Sequence, residues 1–244
     1  MVTPYSNVSE GKKEQVEKMF NEIAFRYDLL NQLLSFGIHK RWRRKAIRLV
    51  SSSLFPHSSS LCIIDVATGT AAFAIDAVAL NPKKIIGIDI SDDMLDIGRK
   101  KVAEKNLSGI IELTRADSEN LPFDENHFDA ATVGFGVRNF ENLEKGLSEI
   151  CRTLKEGGIF AVLEFSIPQK FPMKQFYHFY LKNICPLIGR IISKNPVAYD
   201  YLFKSVSGFP YGEKFKDILL KCGFSEVNIF PCTFGIVTIY IAKK

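Results

Sequence analysis

Residues 65–78, DVATGTAAFAIDAV, put an acidic side chain and a turn with a single glycine between an apolar run and a helical pattern. A dinucleotide-binding turn of the form G-x-G-x-x-G needs several glycines, because a diphosphate must approach the backbone closely at a helix N-terminus. Here Gly69 stands alone, with Ala71 and Ala72 where a second glycine would let the backbone meet a diphosphate. The stretch reads as strand, tight turn and helix. By itself it leaves open a broken dinucleotide fingerprint or an intact site for a different ligand.

The flanking sequence repeats the alternation. LCIIDVA (61–67) is a buried-strand run, followed after the 71–79 helix by the strand KIIGIDI (84–90) and the helix SDDMLDIGRKKVAEKN (91–106), which Ser91 can cap. IIELTRAD, FDAATVGFG, a helix over 141–154 and GGIFAVLEFS continue the pattern. A helix over 213–221 precedes two strands, FSEVNIF and GIVTIYIA, joined by a turn at 231–234. Strand–helix alternation makes a parallel sheet, and the final pair makes an antiparallel hairpin on its edge. The expected fold is α/β, a doubly wound Rossmann-like seven-stranded sheet over 61–244 with a helical insertion at about 168–208. Before it, helical spacing of Val16, Met19, Phe20, Ile23 and Ala24 predicts a helical cap over 14–50, preceded by a flexible 1–13. SSSLFPHSSS (51–60) reads as a flexible join between cap and sheet.

Composition narrows the class. The 244 residues suffice to bury one core with additions, and 46% hydrophobic with 24% charged residues is a globular composition. Five scattered cysteines without a C-x-x-C pair indicate neither a zinc site nor a disulfide framework, and fit reduced thiols in the cytoplasm. No stretch reaches the roughly 18 apolar residues of a spanning helix, so a soluble or peripheral protein is expected. The net charge of +5 is mild.

In a doubly wound sheet, ligands bind beyond the carboxyl ends of the strands where strand order reverses. That gathers 65–72, Asp89, Asp117 and 134–139 around one crevice. Asp89 can accept hydrogen bonds from both hydroxyls of a ribose, which serves NAD and S-adenosylmethionine equally. The difference is charge. Asp65 and Asp89 repel a diphosphate and favour a sulfonium cation, which needs only the one close backbone approach at Gly69. Asp117 and Ser118 can meet the adenine. A turn-forming or helix-capping role is the plainer alternative for Asp65 and Asp117. As a set, DVATGT, GIDIS, RADSENLPF and LKEGG resemble the motifs of class I S-adenosylmethionine-dependent methyltransferases.

After the fourth strand the chain has GFGVRNF rather than the N/D-P-P-Y/F turn of enzymes that methylate amines. Arg138 is a permanent cation and suits oxyanion stabilisation. A guanidinium lowers the pKa of a phenol-like hydroxyl, and the resulting anion makes its ortho carbon nucleophilic. With MFNEIAFRYDLLNQLLSFGIHKRWRR, LEFS, AYDYL, SVSGFP and TFGIVTIY added, the chain from about Val16 to the C-terminus resembles the UbiE/MenG quinone C-methyltransferases. That resemblance implies C-methylation of reduced demethylmenaquinone, or of a ubiquinone-pathway precursor, with menaquinone favoured by TFGIVTIY. It also implies cofactor contacts at Thr70, Asp89, Asp117 and Ser118 beside Asp65 and Gly69, an acceptor side at Arg138 and Asn139, and no metal. Family members commonly read GTGD where this chain reads GTAA, so Ala71 replaces a glycine at a position expected to be helical and Ala72 replaces an acid.

Tyr27, Asp28 and His39 fall in the cap, where Tyr27 can contact the acceptor and Tyr27 or His39 can relay its proton. Residues 174–193, KQFYHFYLKNICPLIGRIIS, mix aromatics with cations and can line a polyprenyl groove or lie on a bilayer surface, or simply form a packed lid. HKRWRRKAIR (39–48) is a dense basic patch, read as a solvated or lipid-facing helix rather than a nucleic-acid surface. The expected partners are thus a polyprenyl quinol, the inner face of a membrane and a second copy as a homodimer, with no nucleic acid. An RNA methyltransferase and a non-catalytic scaffold are the rival readings.

Overall fold

The computed structural model describes residues 2–5, 8–54, 60–185 and 196–244. The strands are β1 (Cys62–Val66), β2 (Lys84–Asp89), β3 (Ile111–Arg115), β4 (Phe128–Gly134), β5 (Leu154–Phe165), β6 (Glu226–Cys232) and β7 (Val237–Lys243). They form one seven-stranded sheet in the order β3-β2-β1-β4-β5-β7-β6. β1 to β5 run parallel, and β7 enters antiparallel between β5 and β6, making the expected hairpin with β6 on the edge. The apolar β-branched runs of β1 and β2 fit this placement, because helices cover both faces of a parallel sheet and strands there need no polar side. Order reverses between β1 and β4, so the crevice lies above their carboxyl ends.

The helices packed on the sheet are α3 (Ala72–Ala77), α4 (Asp92–Glu104), α5 (Leu143–Thr153) and, late in the chain, α8 (Glu213–Lys221). Ser91 caps α4 by accepting from Met94 N, and Asn142 caps α5 by accepting from Lys145 N. Two large buried clusters occupy the two faces of the sheet. One is built on Ile63, Phe73, Ile85 and Leu163, the other on Ile64, Phe128, Phe160, Phe215 and Tyr240.

The cap is two helices, α1 (Lys12–Leu34) and α2 (His39–Ser53). Val16, Met19, Ile23 and Leu30 of α1 pack on Met94 of α4 and on Tyr199 and Tyr201 of α7 (Pro196–Gly208). α1 runs unbroken to Leu34, and it starts before residue 14 because Lys12 has a buried partner set. Its Nζ donates to the carbonyls of Arg138 (2.9 Å) and Phe140 (2.7 Å), and its backbone N–H donates to Glu141 Oε1 (2.7 Å). Burial, then Arg138, lowers the Lys12 pKa to about 8. Of the N-terminus expected to be flexible, residues 1, 6 and 7 lie outside the described residues, while the Tyr5 backbone donates to Gln15 Oε1 at 2.9 Å. Residues 51–53 of the expected join continue α2, and 55–59 lie outside the described residues. The insertion holds α6 (Met173–Phe179), a π-turn (Tyr180–Ile184) and α7; residues 186–195 lie outside the described residues.

Lys12 thus ties the first turn of the cap to the loop after β4. Replacing it by Met keeps the apolar stem but leaves two carbonyls without their donor, and about 1–3 kcal/mol of stability is expected to be lost in denaturant melts.

Candidate functional site

The turn after β1 is held by Asp65, which is 1% exposed. Its Oδ2 accepts from Thr68 Oγ1 (2.5 Å) and Ala74 N (3.1 Å), and its Oδ1 accepts from Thr132 Oγ1 (2.6 Å). Burial pushes its pKa up to about 6 against these three donors. Both oxygens are engaged by turn, helix α3 and strand β4, the turn and helix-cap role that the sequence also allowed, and Asp65 borders the larger cavity rather than the smaller one. Ala67 (φ 52°), Gly69 (φ 53°) and Ala71 (φ 61°) are all left-handed. Ala71 is therefore not helical, as the sequence suggested, but the N-terminal cap position of α3 in the conformation a glycine adopts most easily. Left-handed backbone costs an L-residue on the order of 1–2 kcal/mol, and such strain clusters at binding sites.

Two neighbouring cavities lie above the strand ends. The smaller, about 70 Å³, is lined by Gly69, Asp89, Ile90, Met94, Asp117 and Ser118, with Lys13, Val16 and Phe20 of α1 as its roof. Asp89 Oδ2 accepts from Gly69 N (2.8 Å) and Oδ1 from Ser91 N (2.9 Å), leaving a lone pair on each oxygen for a diol. Burial raises its pKa. Asp117 lies where expected but is already engaged. Its Oδ2 faces Lys13 Nζ at 3.1 Å and its Oδ1 accepts from Glu119 N at 2.9 Å. The Lys13–Asp117 pair is part-exposed and of the kind worth at most about 1 kcal/mol, so a ligand amino group can displace it.

The larger cavity, about 940 Å³, is lined by both cap helices, α6 and the end of β5. Arg138, Thr70, Asp65, His39, Tyr177 and Tyr201 reach its wall. Thr70 does not sit with the other expected cofactor contacts. Its hydroxyl donates to Asp28 Oδ1 (2.8 Å) and accepts from Lys101 Nζ (2.9 Å), joining turn, cap and α4. Phe20, Tyr27, Ala67, Gly69, Gly134 and Phe135 line both cavities and mark their junction. Tyr27, expected on the acceptor side, stands at that junction, its pKa raised by burial. Asn139, expected beside Arg138 on the acceptor side, lines the smaller cavity instead, and its Oδ1 accepts from Tyr201 hydroxyl at 3.1 Å.

Arg138 is not the lone cation that the sequence indicated. Its side chain is 8% exposed and its Nη1 donates to Glu164 Oε1 at 2.9 Å, with a further short contact from Nη1 to the Phe135 carbonyl. The guanidinium lies 5.5 Å from the centroid of the Phe165 ring. Glu164, fully buried, also accepts from Phe165 N at 2.8 Å, and burial raises its pKa despite Arg138. Among the described residues Arg138 Nε and the Tyr177 hydroxyl are buried without a hydrogen-bond partner. Sequence reasoning missed Glu164, although LEFS marked its position. It also did not single out Tyr177, which stood inside the segment read as a polyprenyl groove, a bilayer-facing surface or a packed lid.

The residues fit a sulfonium nucleoside better than a dinucleotide. A diol acceptor ends β2, the adjoining turn lacks the glycines a diphosphate needs, and the carboxylates nearby oppose a phosphate. The fold and this site define a class I S-adenosylmethionine-dependent methyltransferase. Solved structures share the architecture: a putative S-adenosylmethionine-dependent methyltransferase of Methanococcus maripaludis superposes with a TM-score of 0.63 over 98% of this chain and 97% of its own, at 20% identity. The chain belongs to the ubiE/COQ5 methyltransferase family, which it matches over residues 8–244. It is 48% identical to a demethylmenaquinone methyltransferase of Bacteroides fragilis over 100% of this chain and 97% of that protein. It is 43% identical to a ubiquinone/menaquinone biosynthesis C-methyltransferase of a Geobacter species, over 96% and 97%.

Burial, then Arg43 and Lys40, lowers the His39 pKa to about 4. The unfolded chain takes up this proton near its ordinary 6.5, so acidification between about 6.5 and 4 removes stability through His39. Asp65 acts oppositely below about 6, because its folded carboxyl binds a proton before the unfolded one does. A wild-type-minus-His39→Gln difference in Tm isolates the first effect. It is expected to move against the wild type as the pH falls from 6.5 to 4.5.

Proposed function

We propose that this methyltransferase transfers a methyl group to a ring carbon of a reduced polyprenyl quinone, with demethylmenaquinol as the substrate. The observation that carries the reading is the large cavity joined to the cofactor cavity, with apolar walls and a buried guanidinium whose Nε has no partner. Asp89, Gly69, Asp117 and Ser118 would hold S-adenosylmethionine, which supplies an electrophilic methyl on a sulfonium. The names of the Bacteroides fragilis relative and of a 41% identical one from Porphyromonas gingivalis, both demethylmenaquinone methyltransferases, support menaquinone over ubiquinone chemistry.

Because Glu164 neutralises Arg138, the pair does not hold a standing positive charge. Arg138 stabilises the developing quinolate through a guanidinium that Glu164 holds in one direction at the cavity wall, an arrangement whose value is greatest where water is excluded. The Tyr177 hydroxyl is a second unpartnered group on the same wall. His39 is the base available for the leaving proton. Ser35 has one hydroxyl proton, directed at the Asn31 carbonyl (2.6 Å), so the 2.5 Å contact between Ser35 Oγ and His39 Nδ1 puts the imidazole proton on Nδ1 and leaves Nε2 an acceptor.

Labelled S-adenosylmethionine offered with reduced demethylmenaquinone, with the ubiquinone precursor and with RNA tests the assignment. Label is expected in methylated menaquinol alone, and label in RNA would reverse it. Arg138→Ala leaves Glu164 buried and uncompensated, and is expected to cost about 3–5 kcal/mol of stability. The double variant Arg138→Gln/Glu164→Gln restores folding by thermal melt, yet its turnover is expected to fall by about 100-fold or more. Ala72→Asp returns a carboxylate at the start of α3 and is expected to tighten cofactor binding by about tenfold in calorimetry.

A further inference from the structure

The rim of the large cavity carries an exposed apolar surface that the chemistry within it does not use. Phe25, Phe36, Phe171 and Phe234 are 79–90% exposed, and Phe176 and Phe179 are more than half exposed. Leu29 and Leu33 continue the stripe from Phe25 at helical four-residue spacing. Hydrogen bonds close these parts into a ring. Tyr180 hydroxyl donates to the Leu34 carbonyl (2.6 Å), joining α1 to the insertion. Trp42 Nε1 donates to Thr233 Oγ1 (2.8 Å), joining α2 to the turn that bears Phe234. Ser166 Oγ donates to the Gly235 carbonyl (2.8 Å), joining that turn to the chain leading to Phe171.

The charge distribution follows the same ring. Residues 29–64 contain six Lys or Arg and no Asp or Glu, and residues 165–199 contain five and none. The remainder of the chain holds 21 Lys or Arg against 27 Asp or Glu, so the net positive charge of the sequence comes from these two segments. Lys40, Arg41, Arg44 and Lys45 of α2, and Lys170, Lys174 and Lys182 of the insertion, are exposed and have no carboxylate partner among the described residues.

We propose that this face docks on a bilayer rich in anionic lipid, with the phenylalanines entering the boundary between headgroups and acyl chains and the surrounding Lys and Arg meeting lipid phosphates. Exposed apolar groups bordered by cations are the recognition pattern of an anionic membrane surface. A second copy of the chain fits poorly, because a two-fold contact would bring the exposed cations of α2 and the insertion against their own copies. Single-stranded nucleic acid would use the cations and the rings, but Leu29, Leu33 and Ile184 offer nothing for a base to stack on. No helix among the described residues is long and apolar enough to cross a membrane, and the contact proposed is one of surface. The inference rests on the quinol reading only for why the mouth should face lipid, and its vesicle-binding readout uses neither quinol nor cofactor.

The intact protein is floated with vesicles of phosphatidylcholine alone and with vesicles in which roughly one-third of the lipid is phosphatidylglycerol. Binding to the anionic vesicles is expected to be at least tenfold stronger and to weaken with added salt. The variant Phe25→Ser/Phe171→Ser/Phe234→Ser, which touches no residue lining either cavity, should lose at least tenfold in vesicle binding with an unchanged Tm and unchanged turnover of a tail-less quinol. Lys170→Gln/Lys174→Gln/Lys182→Gln should flatten the salt dependence. Equal or absent binding to the two vesicle types overturns the proposal. So does a phenylalanine variant that floats like the wild type, a dimer that the same substitutions dissociate, or single-stranded RNA bound more tightly than the anionic vesicles. Failure of wild-type turnover on the tail-less quinol would count against the reaction assigned to the site and leave the vesicle result standing.

Discussion

One buried carboxylate organises the working end of this protein. Asp65 gathers a hydroxyl from its own turn, a hydroxyl from the neighbouring strand and the amide of a helix, tying three elements through one side chain. Satisfying a buried carboxylate this completely is what makes its burial tolerable, since an unpaired charge there would cost several kcal/mol. The same clamp holds a turn in which two alanines take left-handed backbone, and that turn presents Gly69 N to Asp89. The position of Gly69 thus depends on a carboxylate whose oxygens are bonded within the protein.

The second constraint is the Arg138–Glu164 pair. A lone guanidinium beside a hydroxyl would act through net charge, whereas a compensated one acts through direction. The low-dielectric surroundings that make the pair costly to break also strengthen any hydrogen bond its free donors form. The stacking of Phe165 beneath the guanidinium and the turning of the Phe135 carbonyl toward it fix which donors stay free. The acceptor side is thereby pre-organised before any substrate arrives.

The sheet was legible because its signals are local. The runs CIIDV and KIIGID, the Ser91 cap and the late hairpin each follow from a few adjacent residues, and their order dictates the strand reversal. Asp89 and Asp117 were legible because topology alone places them at the crevice. What escaped was long-range pairing. Nothing near Arg138 in sequence points to Glu164, 26 residues on, nor does Lys12 announce its contacts 126 and 128 residues away. The strand-bridging part of the role of Asp65 was hidden for the same reason, since its partner Thr132 lies 67 residues later on another strand. Ala71 was misread because a left-handed alanine has no signature in composition, and Asn139 because two successive residues of a short turn project into different chambers.

Helix α1 has 23 residues, a rod of about 34 Å. Its first turns roof the small chamber through Lys13, Val16 and Phe20, and its last turns wall the large one through Leu30, Asn31 and Leu34. A rod bearing on both ends cannot settle over one guest without changing the seat of the other. Any free energy by which a guest in one chamber alters the seat of this beam is felt in the other chamber, and by thermodynamic reciprocity the two guests act on one another by the same amount.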